Sequence, residues 1–397
     1  MASDRLLPLA DMEQMMGADM DRELEALYRD GFTERMAREW LAAQRDEAAS
    51  GLYDPADLER LHRIGFLAGS ACCYDPERLD KGAYLTDYDF YRLWPLNAWQ
   101  RIWINDKLTL FYMLNGTPYA KYLPEYFFYS TGEGALCAIP PHDSDLGLEQ
   151  VLRARGDIAC KPCNGSLSKG FFRLSFADGA FKINGEPASP EDIERFPAGH
   201  PNYVFTEYLQ PIASMGKIDP LIHTLRVLVV NQHGNDPFIA ANYLRFGMQE
   251  VAQKTGAANY TCLTTPEDRD YVAHVDEATG RYGEGKLAYA TKLEDAPAHP
   301  DSKVAVEGAL PFWNEVVELS LGIARYMPVL SYLGFDIGIT EDGPKLMEIN
   351  SHSGVHYLQM FTPLMADGRF RSFAGERISA LEAMDDAARD RHWRIAR

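Results

Sequence analysis

The chain has little that would place it in a membrane or on a polyanion. Nowhere in its 397 residues does an apolar run approach the ~20 residues needed to cross a bilayer. The opening stretch MASDRLLPLADMEQ has neither the basic start nor the apolar run of a secretory signal. Positive charge is scarce, with 39 Lys and Arg against 58 Asp and Glu and a net charge of −19. That balance excludes a surface built throughout for nucleic acid, although a local basic pocket stays compatible with it. Only six cysteines occur, at Cys72, Cys73, Cys137, Cys160, Cys163 and Cys262, and Cys72 and Cys73 are adjacent and poorly placed to pair with each other. This usage suits a reducing compartment. The expectation is a cytoplasmic protein with no nucleic-acid and no membrane partner.

Familiar nucleotide signatures are missing too. No glycine fingerprint of the GxGxxG kind joins a strand to a helix, which argues against a dinucleotide domain. There is no GxxxxGKS/T phosphate loop, and no kinase set of Gly-rich loop, HRD-type loop and DFG. Internal repeats and low-complexity segments are also lacking.

A chain of this length can hold two or three folding units. Its first ~100 residues read as helical, because Leu24, Leu27, Tyr28, Phe32, Met36 and Trp40 recur at three- and four-residue steps. Gly51 and Pro55 interrupt that pattern, and a second short helix is predicted over Asp57–Ile64. Residues 86 to 130 are rich in aromatics that suit core packing. Within them, Asn105-Asp106-Lys107 precedes a helical pattern at Leu108, Leu110, Phe111 and Leu114, with Asp106 placed to cap it.

From Asp157 the texture turns to strands. Ile158 to Pro162 runs into the small-residue stretch Cys163-Asn164-Gly165-Ser166-Leu167-Ser168-Lys169-Gly170, a loop whose backbone N–H groups can converge on an anion. Cys160 and Cys163 form a CxxC. Positions i and i+3 of a strand face opposite ways and no second pair of ligands is evident, so a metal or redox reading is discounted. Tyr203 to Leu209 is a further apolar strand. Thr224 to Val230 (TLRVLVV) and Ile239 to Phe246 each carry one charge, Arg226 and Arg245. A guanidinium on an inner strand needs an anion, supplied by protein carboxylates or by phosphate. Residues 250 to 308 read as long polar loops around a hairpin at Asp276–Tyr282. Helices are predicted over Pro311–Tyr326 and Arg377–Trp393.

The most informative stretch is Ser331–Tyr357, SYLGFDIGITEDGPKLMEINSHSGVHY. It reads as two apolar strands joined by a tight turn at Glu341-Asp342-Gly343-Pro344. Asp336 on the first strand then falls opposite residues 348 to 350, where Glu348 and Asn350 share a face. Three oxygen-bearing side chains converge in strands otherwise suited to burial, which is costly unless they are paired or coordinated. Two carboxylates and an amide are hard ligands that suit Mg²⁺ and leave positions for phosphate oxygens. By itself the hairpin reads equally well as a solvated strand face.

Taken in order, Asp106-Lys107, Lys161 with its Gly-Ser loop, Glu207-Tyr208-Leu209, Arg226, Arg245 and the triad Asp336, Glu348 and Asn350 resemble the ATP-grasp superfamily. FDIGITEDGPKLMEINSHSG resembles its metal-binding element, an Asp followed about a dozen residues later by Glu-x-Asn. HPDSKVAVEGALPFWNEV and LGFDIGIT…GPKLMEIN look most like the sugar-transfer-associated branch, close to carboxylate–amine ligases. The resemblance spans roughly residues 100 to 366. It implies an α+β fold in which two subdomains clasp ATP behind a mainly helical N-terminal region. The expected divisions are 1–104, 105–209 and 210–397.

The resemblance also implies roles. Lys107, Lys161, Ser166 and Lys169 would hold phosphates, and Glu207, Tyr208 and Leu209 the adenine. Asp336, Glu348 and Asn350 would bind Mg²⁺, with Mn²⁺ as an alternative. Arg226 and Arg245 would meet reacting oxyanions, and His352, Ser353 and His356 would line the acceptor site. Asp219 is the candidate for the ribose. The chain departs from the pattern by beginning with helices rather than an α/β domain. It also has Gly334 two residues before the first metal carboxylate, where some ligases carry arginine. The implied reaction is ATP-dependent joining of a carboxylate to an amine through an acylphosphate. The alternatives are a phosphotransferase acting on a small molecule or sugar and a non-catalytic nucleotide-binding protein. The implied partners are ATP and small carboxylate and amine substrates, with self-association left open.

Overall fold

The structure is a computed structural model and describes residues 20–165, 169–248, 263 and 265–395. The described residues divide into two compact units, one formed by those up to 95 with those from 363 onward, the other by those between 96 and 362.

The first unit is helical. Residues 20–29 form a helix. Thr33 caps the next, Glu34–Ser50, by accepting a hydrogen bond from the Met36 amide, and Gly51 ends it with a φ of 67°. Asp54 caps Pro55–Arg63 in the same way. The predicted apolar stripe becomes a core of Leu24, Leu27, Phe32, Met36, Trp40 and Trp94. The C-terminal residues differ from the single helix expected over Arg377–Trp393. They form two helices, Gly368–Glu382 and Asp386–Trp393. Asp385 supplies the reason, because its side chain accepts from the Ala388 amide and starts a new helix.

The described residues of the second unit include two antiparallel sheets. The first contains β1 (Tyr126–Ser130), β2 (Leu136–Ala138), β3 (Asp157–Pro162), β4 (Phe172–Ala177), β5 (Ala180–Ile183), β6 (Glu186–Ala188) and β7 (Tyr203–Glu207). Their spatial order is β2-β1-β7-β3-β4-β5-β6. Phe128, Ile158, Cys160, Leu174 and Phe205 from these strands share a core with Val151 and Leu152 of the helix Leu148–Arg155 and Ile193 and Phe196 of the helix Pro190–Gly199. Cys160 is part of that core, whereas Cys163 belongs to the core of the other sheet, and both thiols are free.

The second sheet contains β8 (Thr224–Val230), β9 (Phe238–Phe246), β10 (Arg269–Val275), β11 (Arg281–Tyr289), β12 (Leu293–Asp295), β13 (Gly308–Ala309), β14 (Tyr332–Thr340) and β15 (Gly343–Asn350). Its order is β12-β11-β10-β9-β8-β14-β15, with β13 on β11. The hairpin expected at Asp276–Tyr282 is the turn between β10 and β11, and its strands run well beyond the segment read from sequence.

Alternation sorts the faces of this sheet. Leu225, Val227, Val229, Leu333, Phe335, Ile337 and Ile339 point to one side, into a core with Val316, Leu319 and Ile323 of the helix Trp313–Tyr326. Each such side chain, fully buried, contributes on the order of 1.5–3 kcal/mol. Arg226 and Asp336 therefore project from the other side. That is the link from period-two patterning to the site.

Candidate active site

Strand register aligns the charges. Arg226 on β8 pairs with Tyr243 on β9 and with Asp336 on β14, and Asp336 pairs with Glu348 on β15. Tyr243, Arg226, Asp336 and Glu348 thus form one rank across four neighbouring strands. A bulge completes the arrangement: Asp336 lies opposite Glu348, whereas Ile337 lies opposite Leu346, so Met347 is the extra residue. The bulge lets both Leu346 and Ile349 reach the core while Glu348 and Asn350 face the other way.

The polar contacts are close. Arg226 grips Asp336 with Nε and Nη2 at 2.5 and 3.0 Å, and its Nη1 donates to Ser353 Oγ at 2.6 Å. This fork-to-carboxylate geometry is the strong form of an ion pair. Asn350 Nδ2 lies 3.4 Å from Asp336 Oδ2 and 3.3 Å from Glu348 Oε1. Lys107 Nζ stands 3.1 Å from Glu348 Oε2. Lys107 opens the helix Lys107–Leu114, which Asp106 caps through the Thr109 amide. The Lys107 amide donates to the Cys163 carbonyl at 2.7 Å, and its Nζ reaches the Gly165 carbonyl at 3.4 Å. One lysine therefore joins the first helix, the start of the Gly-Ser loop and the carboxylate strand.

These groups line a cavity of about 380 Å³. Lys107, Lys161, Lys169, Arg226 and Arg245 supply its cations, and Asp336, Glu348 and Glu207 its anions. Asn350, Tyr208, Leu209, His352, Ser353 and His356 line it as well. Ser166 lies outside the described residues. Asp219 is not part of the lining; its Oδ1 accepts from the Leu221 amide at 2.8 Å.

At the end of β7, Glu207 is occupied. Its amide donates to the Glu125 carbonyl at 2.8 Å and its Oε2 accepts from the Glu125 amide at 3.2 Å. Among the described residues, Tyr208 and Leu209 make no backbone–backbone hydrogen bond, and both line the cavity. Ala159, Phe171, Ile222 and Met347 add apolar surface beside them.

The sequence reading missed these apolar residues, and it missed Tyr243 and Tyr357. The Tyr357 hydroxyl donates to Asp270 Oδ2 at 2.9 Å, and its ring meets Tyr243 edge-on at 5.7 Å. Alternation could have put Tyr243 on the face of Arg245, two residues away. No local pattern marks Tyr357.

Proximity perturbs the titrating groups. Burial pushes the Lys161 ammonium down to about 8, and the Lys107 charge adds to this against opposition from Glu348 and Asp336. Burial would raise Glu348, but the Lys107 ammonium, the hydrogen bond with Asp336 and the Arg226 charge together outweigh it and hold the carboxyl well below its usual range. Burial pushes Asp336 up, against the pull of Arg226. Burial also opposes the Arg226 charge, yet Asp336 holds the guanidinium more firmly protonated than usual. His356 is pushed down to about 4 by burial and by the charges of Arg245 and Arg226.

The donor set suits a hard divalent cation. Two carboxylates and an amide lie within hydrogen-bonding reach of one another, and Arg226 and Lys107 now neutralise the carboxylates.

Residues 138–369, more than half of the chain, match the family model described as sugar-transfer associated ATP-grasp. The chain belongs to that family. Its two-sheet second unit is an ATP-grasp fold.

Solved structures similar to this ATP-grasp chain include D-alanyl-alanine synthetase A from Vibrio cholerae, at 12% identity and a TM-score of 0.38, covering 75% of this chain and 68% of that one. N5-carboxyaminoimidazole ribonucleotide synthetase from Thermotoga maritima shares 14% identity at a TM-score of 0.34, covering 67% and 47%. An L-amino acid ligase from Bacillus licheniformis shares 7% at 0.34, covering 68% and 48%. The chain thus spans about half the length of the latter two. No curated protein matches it in sequence.

Proposed function

We propose that the chain is an ATP- and Mg²⁺-dependent ligase that joins a small carboxylate to an amine through an acylphosphate, releasing ADP and phosphate. The observation that carries this reading is the rank Arg226–Asp336–Glu348 facing Lys107 and Lys161 in one cavity. Lysines for phosphate, hard ligands for a cation and guanidiniums for developing charge are what phosphoryl transfer to a carboxylate requires. No protein nucleophile is needed, since positioning and charge stabilisation supply most of the catalysis.

Lys107, Lys161 and Lys169 hold phosphate oxygens, and the peptide groups of Tyr208 and Leu209 meet the base. Asp336, Glu348 and Asn350 hold Mg²⁺, which when bound offsets phosphate charge. Arg226 is anchored by Asp336 and Ser353, so it meets an oxyanion with little loss of side-chain freedom. Arg245 projects from the neighbouring strand into the same cavity.

The test is ADP release with a panel of amino acids and sugar acids, each supplied with and without an amine. The ligase reading expects phosphate release that depends on both substrates. A stable phosphorylated product from a single substrate would replace it with a phosphotransferase. Undetectable Mg·ATP binding by calorimetry in a folded sample would remove both enzyme readings.

A further inference from the structure

We propose that His356 takes the proton of the incoming amine as that amine attacks the acylphosphate. This rests on the ligase reading above. His356 opens the short helix His356–Phe361, which packs against β9, and its imidazole lines the cavity. The ring is half-buried and makes no hydrogen bond to any described residue.

The other candidates in the lining are committed elsewhere. Glu348 faces Lys107, Asp336 is gripped by Arg226, and the Glu207 carboxylate turns to the Glu125 amide. The two ring nitrogens of His352 are shut away from solvent. Lys161 lies with Lys107 among the phosphate-binding groups. His356 lines the same cavity and takes part in none of these contacts.

Its surroundings suit the timing of such a step. Arg226 on β8 and Arg245 on β9 both act on the imidazole, with Tyr243 on β9 and Tyr357, bonded to Asp270, beside them. Burial and the two guanidiniums favour the neutral form of His356. An acylphosphate seated against those guanidiniums cancels their repulsion and raises the basicity of the ring. The base thus strengthens when its substrate is present, towards the range where proton transfer is efficient.

In the step itself, the amine nitrogen forms a bond to the acyl carbon and loses a proton to the imidazole. The carbon–oxygen bond to phosphate breaks, and its electron pair leaves with inorganic phosphate. The imidazolium then returns its proton to solvent or to the departing phosphate.

Hydroxylamine separates this proposal from the reading beneath it, since it attacks acylphosphates at neutral pH without help from a base. The unmodified protein, with Mg·ATP and the most stimulating carboxylate of the panel, should form a hydroxamate. His356→Gln should lose roughly 10²–10⁴-fold in transfer to the ordinary amine, and far less in hydroxamate formation. The acidic limb of its kcat/KM profile for the amine should disappear, and Mg·ATP binding should stay within a few-fold. His356→Asn should behave alike, which guards against a folding defect of one variant. Equal losses with both nucleophiles would make His356 a positioning residue, and no loss with either would remove it from the reaction. No hydroxamate from the unmodified protein would overturn the ligase reading and this proposal together.

Discussion

Ser353 stands in the space that a side chain at position 334 would need. A Cβ built on Gly334 would collide with Ser353 Cβ and lie 2.6 Å from its Oγ. That hydroxyl accepts from Arg226 Nη1, so the bare α-carbon at 334 is what lets the turn after β15 support a guanidinium on β8. The arginine expected at this position in some ligases has no room here, and the charge near Asp336 comes from the neighbouring strand instead.

Gly334→Ala should therefore act on the site through Ser353. Overpacking of this kind costs about 1–3 kcal/mol, so a lowered Tm in a protein that still folds is expected. Displacing Ser353 frees one arm of Arg226, and ADP release should fall about tenfold or more. A variant with unchanged Tm and full turnover would show that the contact relaxes without consequence.

Lys161 carries a pH prediction. Its depressed value means that the free protein loses this charge as pH rises through about 8. Between that value and the ordinary 10.5 the unfolded chain binds more protons, so this group makes stability rise with pH across that window. Under the proposed role of Lys161, phosphate binding works the other way, because it would require the ammonium. Near pH 8.5, Mg·ATP should bind with uptake of a proton, and its affinity should fall by up to about tenfold per pH unit above 8. Calorimetry in two buffers of different ionisation enthalpy measures the uptake. Lys161→Arg keeps its charge and should abolish both the uptake and the slope; persistence of both in that variant would assign them to another group.

How much of this was legible beforehand varies with the kind of signal. The hairpin turn and the shared face of Glu348 and Asn350 follow from Asp342-Gly343 and period two. The register of Asp336 came within one residue, and the bulge at Met347 decided it. Arg226 and Arg245 could be placed on strands, but only the sheet order shows that β8 lies between β9 and β14 and so makes Asp336 the partner of Arg226. Apolar lining residues such as Ile222 and Met347 look like any core residue in sequence. Tyr357 reaches the cavity through a turn and a short helix that no periodicity predicts. The strands β10 and β11 were hidden because polar and glycine residues interrupt their alternation, as at Gly285, where a Cβ would collide with the Tyr271 hydroxyl.

Glu348 should prove functional rather than structural. It is partly open to the cavity, and its side chain meets Lys107, Asn350 and Asp336. Glu348→Ala should cut turnover by at least about 10²-fold, the scale of losing one electrostatic group at a reacting centre, while leaving the far-ultraviolet circular dichroism unchanged. Glu348→Gln preserves shape and should retain ATP binding only at raised Mg²⁺. Global unfolding of the alanine variant would identify the residue as a strut.

Asn97 should prove the reverse, a residue of stability. It is buried, and its Nδ2 donates to the Tyr332 carbonyl at 2.6 Å and the Ser351 carbonyl at 3.3 Å. Its Oδ1 accepts from the Ser331 amide at 2.7 Å and the Tyr332 amide at 3.2 Å. One side chain thus holds the start of β14 to the residue that follows β15, and so fixes the approach to Ser353. Asn97→Ala strips partners from buried backbone groups, each worth about 1–3 kcal/mol when left unsatisfied. A loss of roughly 2–4 kcal/mol in denaturant unfolding is expected, with an unchanged m-value. Asn97→Asp keeps the acceptor but loses the donor, and should recover only part of that loss. If both variants match the unmodified protein in midpoint, the two strand ends are held by the rest of the sheet and not by Asn97.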